Sequence, residues 1–332
     1  VVRAAVLCSP AHAERRPLEL QQRDDPNAAP GEVLVRVEAC GVCRTDLQLA
    51  EGDLVARRLP IVPGHQVVGE VVSLGEGVEE PEPGTRVGIT WLAGTCGRCR
   101  FCASGRENLC ESARFTGWDR DGGYATLVTA RADMVHPLPI DADADALAPL
   151  LCAGVIGYRS LRVAEVRPGQ RLGLFGFGAS ASIIIQVAVH WGCEVYVCTR
   201  SESEQAAATA LGAVWAGGFE ERPPVPLDAA VTTAPVGDAI TLALAAMDRG
   251  GIVAVNAIHL DRVPQFSYDL LWWERQVRSV ANVTRQDARE LLELAVQLPL
   301  RTRRELRPLE EANEALVDLA AGRVEGSVVL RP

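Results

Sequence analysis

The six residues Gly176-Phe177-Gly178-Ala179-Ser180-Ala181 narrow the possible folds of this chain more than any other stretch. They follow the apolar run Arg171-Leu172-Gly173-Leu174-Phe175 and open a helical segment, so G-x-G-x-x-A stands at a strand-to-helix turn. At such a turn the first glycine permits a tight bend and the second lets the backbone approach a pyrophosphate. The small Ala181 allows close helix-strand packing. Free N–H groups at the helix start then meet phosphate. Three more short apolar runs, 194–198, 227–231 and 251–255, alternate with helical segments. Runs of that length separated by helices indicate a parallel, doubly wound sheet buried on both faces. The plain alternative is a glycine-rich turn that binds nothing.

The 332 residues exceed one ordinary core, because a domain takes about 150 residues. The first part of the chain is rich in Val, Gly and Pro and carries alternating strands such as Glu32-Val33-Leu34-Val35-Arg36-Val37-Glu38 after Pro30-Gly31. It reads as a mostly β domain. An amphipathic helix around Glu310 to Ala321 and a last strand, Ser327 to Leu330, are placed to return to it. The expected division is 1–154 with 283–332 as the β-rich domain, and 155–282 as the α/β domain.

With 48% hydrophobic and 23% charged residues the composition is that of a soluble globular chain. A net charge of -10 disfavours nucleic acid as a partner, since a polyanion demands clustered basic residues. The uncharged stretch Leu172 to Cys193 contains the glycine motif, Gln186 and His190, so it is expected to be strand, turn and helix rather than a membrane span. The charged start, with Arg3, His12 and Glu14, carries no apolar core of signal length, which predicts a cytoplasmic protein with reduced thiols.

Ten cysteines then need a use. Cys96, Cys99, Cys102 and Cys110 form C-x-x-C-x-x-C-x7-C in a loop-like region with Gly94, Gly97 and Gly105. Four thiolates close a tetrahedral shell around zinc and leave no position for substrate, so this site is expected to be structural. An iron-sulfur cluster, disulfides or unrelated thiols compete for the same spacing. A second set is dispersed: Cys43 before Arg44-Thr45-Asp46, His65 in Gly64-His65-Gln66, and Cys152 in Leu151-Cys152-Ala153. Taken singly, each has a bland reading as a buried thiol or a satisfied core histidine.

Together, in this order, and followed by the glycine-rich turn, these segments resemble the zinc-containing medium-chain alcohol dehydrogenases over essentially the whole chain. The resemblance implies a mostly β GroES-like catalytic domain joined to a Rossmann domain, with two zinc ions per subunit. It gives Cys43, His65 and Cys152 as catalytic-zinc ligands, with a fourth position open for Lewis-acid chemistry. Thr45 corresponds to the hydroxyl that passes a proton toward the cofactor ribose, Asp46 to the acceptor that orients His65, and Arg44 to a phosphate contact. Trp91 matches a wall of the substrate pocket, with Trp118 beside it, an arrangement suited to small primary alcohols and aldehydes. Gln48 stands where relatives often carry His, and Gln66 where Glu usually follows the zinc-binding His. Cys40, three residues before Cys43, is read as a strand-end residue rather than a redox partner. Homodimers and homotetramers are common in the family.

Cofactor choice turns on the residues after the second nucleotide-domain strand. Thr199-Arg200-Ser201 offers no acid to hold a ribose hydroxyl. It offers two hydroxyl donors and a guanidinium suited to a 2′-phosphate, which predicts NADP(H), with NAD(H) as the second choice. Two other functions suit parts of the sequence: a zinc-free enoyl or quinone reductase of the same fold, which lacks both cysteine patterns, and a zinc-held redox sensor, which needs a fourth ligand at the second cluster.

Overall fold

The computed structural model describes residues 1–257, 260 and 262–332, which divide into two units, 1–152 with 282–332, and 153–281. In the first, the strand Glu32–Val42 buries Val33, Val35 and Val37 while the residues between them look outward. That period-two burial lets one face of a sheet build a core while the other meets water. The strand pairs antiparallel with Gln66–Leu74 on one side and with Ser327–Arg331 on the other. The sheet therefore recruits the chain's last strand, and Arg304–Pro308 extends it in parallel beyond that. Arg86–Ile89 and Val135–Pro137 complete the other end, and Leu127–Arg131 pairs with the first half of Glu32–Val42. The helix Ala312–Ala320 covers this core through Ala312, Ala315 and Leu316. It starts later than the sequence pattern suggests because 309–311 forms a 3-10 turn that buries Leu309.

In the second unit six parallel strands lie in the order Trp215–Gly217, Glu194–Cys198, Arg171–Phe175, Leu227–Thr232, Met247–Val255, Gln276–Ser279. Numbered along the unit this is 3-2-1-4-5-6, the dinucleotide-fold order that places a ligand at the switch beside the first strand. Leu172, Leu174, Val195, Val197, Val231 and Val253 are fully buried, as two helical layers demand. The uncharged stretch 172–193 resolves into the first strand, a turn and the helix Ala179–His190. Among the described residues no single helix is long and apolar enough to cross a membrane.

Candidate metal and nucleotide sites

Three separate pieces of the first unit build the dispersed cluster. Cys43 caps the helix Arg44–Glu51 in extended geometry, so its side chain leaves the helix end rather than joining a helical face. His65 enters the strand Gln66–Leu74 after Gly64, whose φ of +94° suits glycine and where a Cβ would come within 2.4 Å of the Tyr124 ring. Cys152 follows the short turn 148–151, ending the first stretch of the unit. The three ligand atoms all lie within 4.8 Å of one another, with Cys43 Sγ 3.4 Å from His65 Nε2.

Asp46 organises this cluster from below. Its carboxylate accepts from the Cys43 N–H at 2.9 Å and from the Gly64 N–H at 3.2 Å, and lies 3.1 Å from His65 Nδ1. Asp46 and His65 are only 3% and 2% exposed; burial works against a charged ring, but the Cys43 and Asp46 charges beside it push His65 well above its ordinary range. A metal taking Nε2 would leave the remaining ring proton on Nδ1, facing Asp46. The Cys152 thiol donates to Cys43 and, with His65 nearby, brings Cys43 down to about 5, while the same bond pushes Cys152 well above its ordinary range. The pair thus holds one removable proton, which a metal would displace.

Thr45 is buried between these ligands in sequence, whereas Arg44 opens the helix exposed to water. Gln66 is 2% exposed and its amide lies against Gly41, where a Cβ would meet Oε1 at 2.8 Å. Its Nε2 has no hydrogen-bond partner among the described residues. Gln48 sits half-buried on the same helix as Thr45. Cys40 lies inside the strand Glu32–Val42, wholly buried, with its thiol 3.7 Å from the Gly41 carbonyl.

The four-cysteine lobe has a different construction. Cys96 and Cys102 sulfurs are 3.9 Å apart and Cys99 and Cys102 3.5 Å. Sulfurs around one tetrahedral zinc would be separated by roughly 3.8 Å, given a Zn–S bond of about 2.3 Å. Backbone N–H groups of Cys96, Cys99 and Cys102 point at Cys110, Cys96 and Cys99 sulfurs at 3.3 to 3.5 Å. Amides of Arg98 and Cys99 bring Cys96 down to about 6. Around these sulfurs the lobe's apolar cluster, among the described residues, is small: Leu92, Cys110 and Ala113 are its buried members. A metal would replace core here. Glu107, between the third and fourth cysteines, accepts from the Arg285 N–H at 3.0 Å and so ties the lobe to the returning chain.

In the second unit Gly176 has a φ of +94° and a Cβ there would stand 2.8 Å from the Ala234 nitrogen. A Cβ on Gly178, which caps the helix Ala179–His190, would meet nothing within 4 Å. That open surface at a helix start, followed by Ala179 and Ser180, is a cradle suited to a pyrophosphate. Ala181 is fully buried, consistent with close packing of the helix on the sheet.

The end of the second strand departs from the expectation of three free donors. Thr199 is 3% exposed and its hydroxyl donates to the Glu204 carboxylate. Ser201 caps the helix Glu202–Ala210 by accepting from the Glu204 N–H at 3.4 Å. Arg200 is exposed. Thr199 spends its hydroxyl proton on Glu204, whereas Ser201 accepts at the cap and lies 2.6 Å from the Ser203 hydroxyl, where either can donate.

The aromatic residues do converge beside the dispersed cluster. The Trp91 centroid lies 6.1 Å from that of His65, and 5.9 Å from that of Trp118 at an interplanar angle of 19°. Phe115, which carries no motif signal, closes the group at 4.5 Å from Trp91. It arrives there by strand pairing, since Phe115 stands opposite Leu92.

A three-ligand cluster with an orienting carboxylate, a four-thiol lobe and a nucleotide fold define a metal-dependent nicotinamide oxidoreductase. Residues 29–140 match the alcohol dehydrogenase GroES-like domain. The chain is 50% identical to a probable alcohol dehydrogenase, AdhA, of Mycobacterium tuberculosis, covering 97% of this chain and 94% of that one. It is 35% identical to an alcohol dehydrogenase of Geobacillus stearothermophilus, with 96% of each covered. A solved thermostable alcohol dehydrogenase from Pyrobaculum aerophilum, bound to cobalt and zinc, superimposes with a TM-score of 0.89 at 25% identity, covering 100% of this chain and 99% of that one. The chain belongs to the zinc-containing medium-chain alcohol dehydrogenase family and is an oxidoreductase acting on CH–OH groups.

Proposed function

We propose that the chain interconverts small primary alcohols and aldehydes, using NADP(H) in preference to NAD(H), with one catalytic and one structural zinc per subunit. The observation that supports this most is the convergence of Cys43, His65 and Cys152 on a single point, with Asp46 behind His65. These three residues fit zinc: two thiols and an imidazole nitrogen at ligand spacing, with a proton ready to leave. When bound, zinc supplies Lewis acidity toward a substrate oxygen, and the nicotinamide supplies or accepts hydride.

The chain's own residues do the rest. Cys43 and Cys152, as thiolates, would balance the charge of the ion, and neutral His65 would add the third bond without further charge. With three protein ligands one position stays free for substrate. Asp46 fixes the His65 ring through its Nδ1–H. Thr45 supplies a buried hydroxyl two residues after the ligand Cys43, placed in sequence to hand a proton outward. Gln48 cannot continue that relay by titration, since an amide neither gains nor loses a proton near neutral pH. Gln66 adds no negative charge beside the ligands beyond that of Asp46. Trp91 and Trp118 present flat, rigid surfaces that favour slim substrates. Cys96, Cys99, Cys102 and Cys110 would hold the structural ion and do no chemistry.

In the nucleotide domain, Gly176, Gly178, Ala179, Ser180 and Ala181 would receive the pyrophosphate. The NADP(H) preference rests on Arg200 and on the lack of an acid at 199–201; Thr199 is engaged by Glu204, while Ser201 accepts at the helix start, so Arg200 is the main determinant. Measuring kcat/KM with both cofactors, then with Arg200→Asp, tests it: a wild-type preference for NADH, or an unchanged ratio in the variant, contradicts the reading. All ten cysteines are free thiols, which suits a cytoplasmic compartment. The outer strand Gln276–Ser279, beside Trp272 and Trp273 at 51% and 48% exposed, suits a homodimer or homotetramer. Sedimentation at micromolar concentration checks this, and a monomer would refute it.

A further inference from the structure

The aromatic wall beside His65 does not end at Trp118. Arg57, from the segment after the helix Arg44–Glu51, lays its guanidinium over the Trp118 ring at 3.7 Å from the centroid and lies 5.6 Å from that of Phe115. The same guanidinium donates to both carboxylate oxygens of Asp119, at 3.0 and 3.1 Å. Asp119 is itself almost wholly buried, 4% exposed at its side chain, and accepts from the Phe115 N–H at 2.9 Å. Trp118 is pinned at its edge as well, donating its Nε1–H to the Val55 carbonyl at 2.9 Å. Four layers therefore run outward from a metal-ligating residue: His65, Trp91, Trp118, Arg57.

An indole ring has two soft torsions and a broad χ2 well, so packing on both faces is what fixes its plane. Trp118 stacks with Trp91 and carries the Arg57 guanidinium over its ring. A guanidinium suits this position better than an ammonium, because it is planar, weakly hydrated and stacks on aromatic faces while its fork engages a carboxylate. Arg57 is 42% exposed at its side chain, so it is not needed to fill a core. Its contacts are spent on the Trp118 ring, more distantly on Phe115, and on one buried carboxylate.

We propose that Arg57 is a positioning residue for substrate specificity, clamping Trp118 flat against Trp91 and thereby setting the width of the substrate pocket on that side. The proposal rests on the reading of Trp91 and Trp118 as pocket wall. Arg57 touches no substrate and takes no part in the chemistry. Releasing it frees Trp118 to swing, which admits branched alcohols and leaves slim ones unaffected.

The test compares n-butanol with neopentanol on the zinc-loaded enzyme. Arg57→Ala is expected to raise the neopentanol to n-butanol ratio of kcat/KM about tenfold, the scale on which pocket contacts discriminate added carbon. The change should come through the KM for neopentanol, with kcat for n-butanol within about twofold of wild type. Arg57→Lys keeps a cation beside Asp119 without the planar stack and is expected to move the ratio at least about threefold. A wild-type ratio in Arg57→Lys, with the ratio moved only in a thermally destabilised Arg57→Ala, would reduce Arg57 to a counter-ion and overturn the proposal. Trp118→Ala separates the two ideas. If it widens specificity while neither Arg57 variant does, the clamp is wrong and the pocket wall stands; if it leaves the ratio unchanged, the wall itself is wrong and the clamp falls with it. Acrylamide quenching gives a readout apart from turnover: Arg57→Ala should increase the accessible tryptophan emission, and the increase should vanish in a Trp118→Phe background. An increase that persists there would also contradict the clamp.

Discussion

The two cysteine clusters use the same chemistry on opposite terms. In the dispersed cluster a buried carboxylate, Asp46, holds a buried imidazole, His65, and the ligands come from three distant stretches of the chain, with Cys43 and Cys152 half-buried. In the lobe the ligands are neighbours in sequence, three of the four are half-exposed, and backbone amides rather than side chains attend the sulfurs. The first site is positioned by a core that exists without it. The second is most of its own core. Metal should therefore matter to chemistry in one and to folding in the other, and that difference can be broken by experiment.

The largest effect is expected at the dispersed cluster. Cys43→Ser or His65→Ala should lower kcat/KM by on the order of a thousandfold or more, because Lewis-acid activation is lost. The melting temperature should move by no more than about 3 °C, as the surrounding sheet is complete. Cys99→Ser should do the reverse, lowering the melting temperature by about 10 °C, since losing a closed metal site costs several kcal/mol in a small lobe. Residual folded protein should stay active. Equal losses of stability and activity in the two variants would erase the distinction.

Asp46→Asn comes next, with a loss of about 10- to 100-fold in activity or zinc affinity, the usual effect of removing the group that orients a ligating histidine. A buried histidine outside both clusters gives a pH-dependent effect. Burial, with Arg289 and Arg285 adding repulsion, brings His136 down to about 4 from the ordinary 6.5. The folded chain prefers the neutral ring, so its contribution is intact above the unfolded value and is lost as pH falls from 6.5 toward 4. The loss should reach at most about 3 kcal/mol. Denaturant unfolding across this range should show a shallower slope in His136→Asn than in wild type. The smallest effect is kinetic: Gln48→His should add an inflection near pH ~6.5 to the rate profile. An unchanged profile would mean that no proton passes residue 48.

What the sequence reveals here depends on how far apart the cooperating residues lie. The lobe is readable because its four cysteines fall within fifteen residues, and the turn at Gly176 because strand, glycines and helix are contiguous. Cys43, His65 and Cys152 needed the resemblance to be joined, since no local pattern links positions so distant. Arg57, Trp91, Phe115, Trp118 and Asp119 meet only after strand pairing places Phe115 opposite Leu92. Nothing in the bare sequence marks Arg57 or Asp119. Thr199 and Ser201 show a different limit: their residue types suit phosphate, but the sequence does not reveal that Thr199 donates to Glu204 or that Ser201 caps the helix starting at Glu202. Side-chain competition of that kind follows from local geometry rather than from residue identity.

The separation of a catalytic from a structural metal is tested most directly by counting zinc in protein purified without added metal, for wild type, Cys43→Ser and Cys99→Ser. The expected contents are near two equivalents per chain in wild type and near one in each variant, with activity lost only in the first variant and thermal stability only in the second. A wild-type content near zero would contradict the zinc assignment outright. One equivalent, lost together with both activity and stability in either variant, would contradict the division of labour between the two clusters.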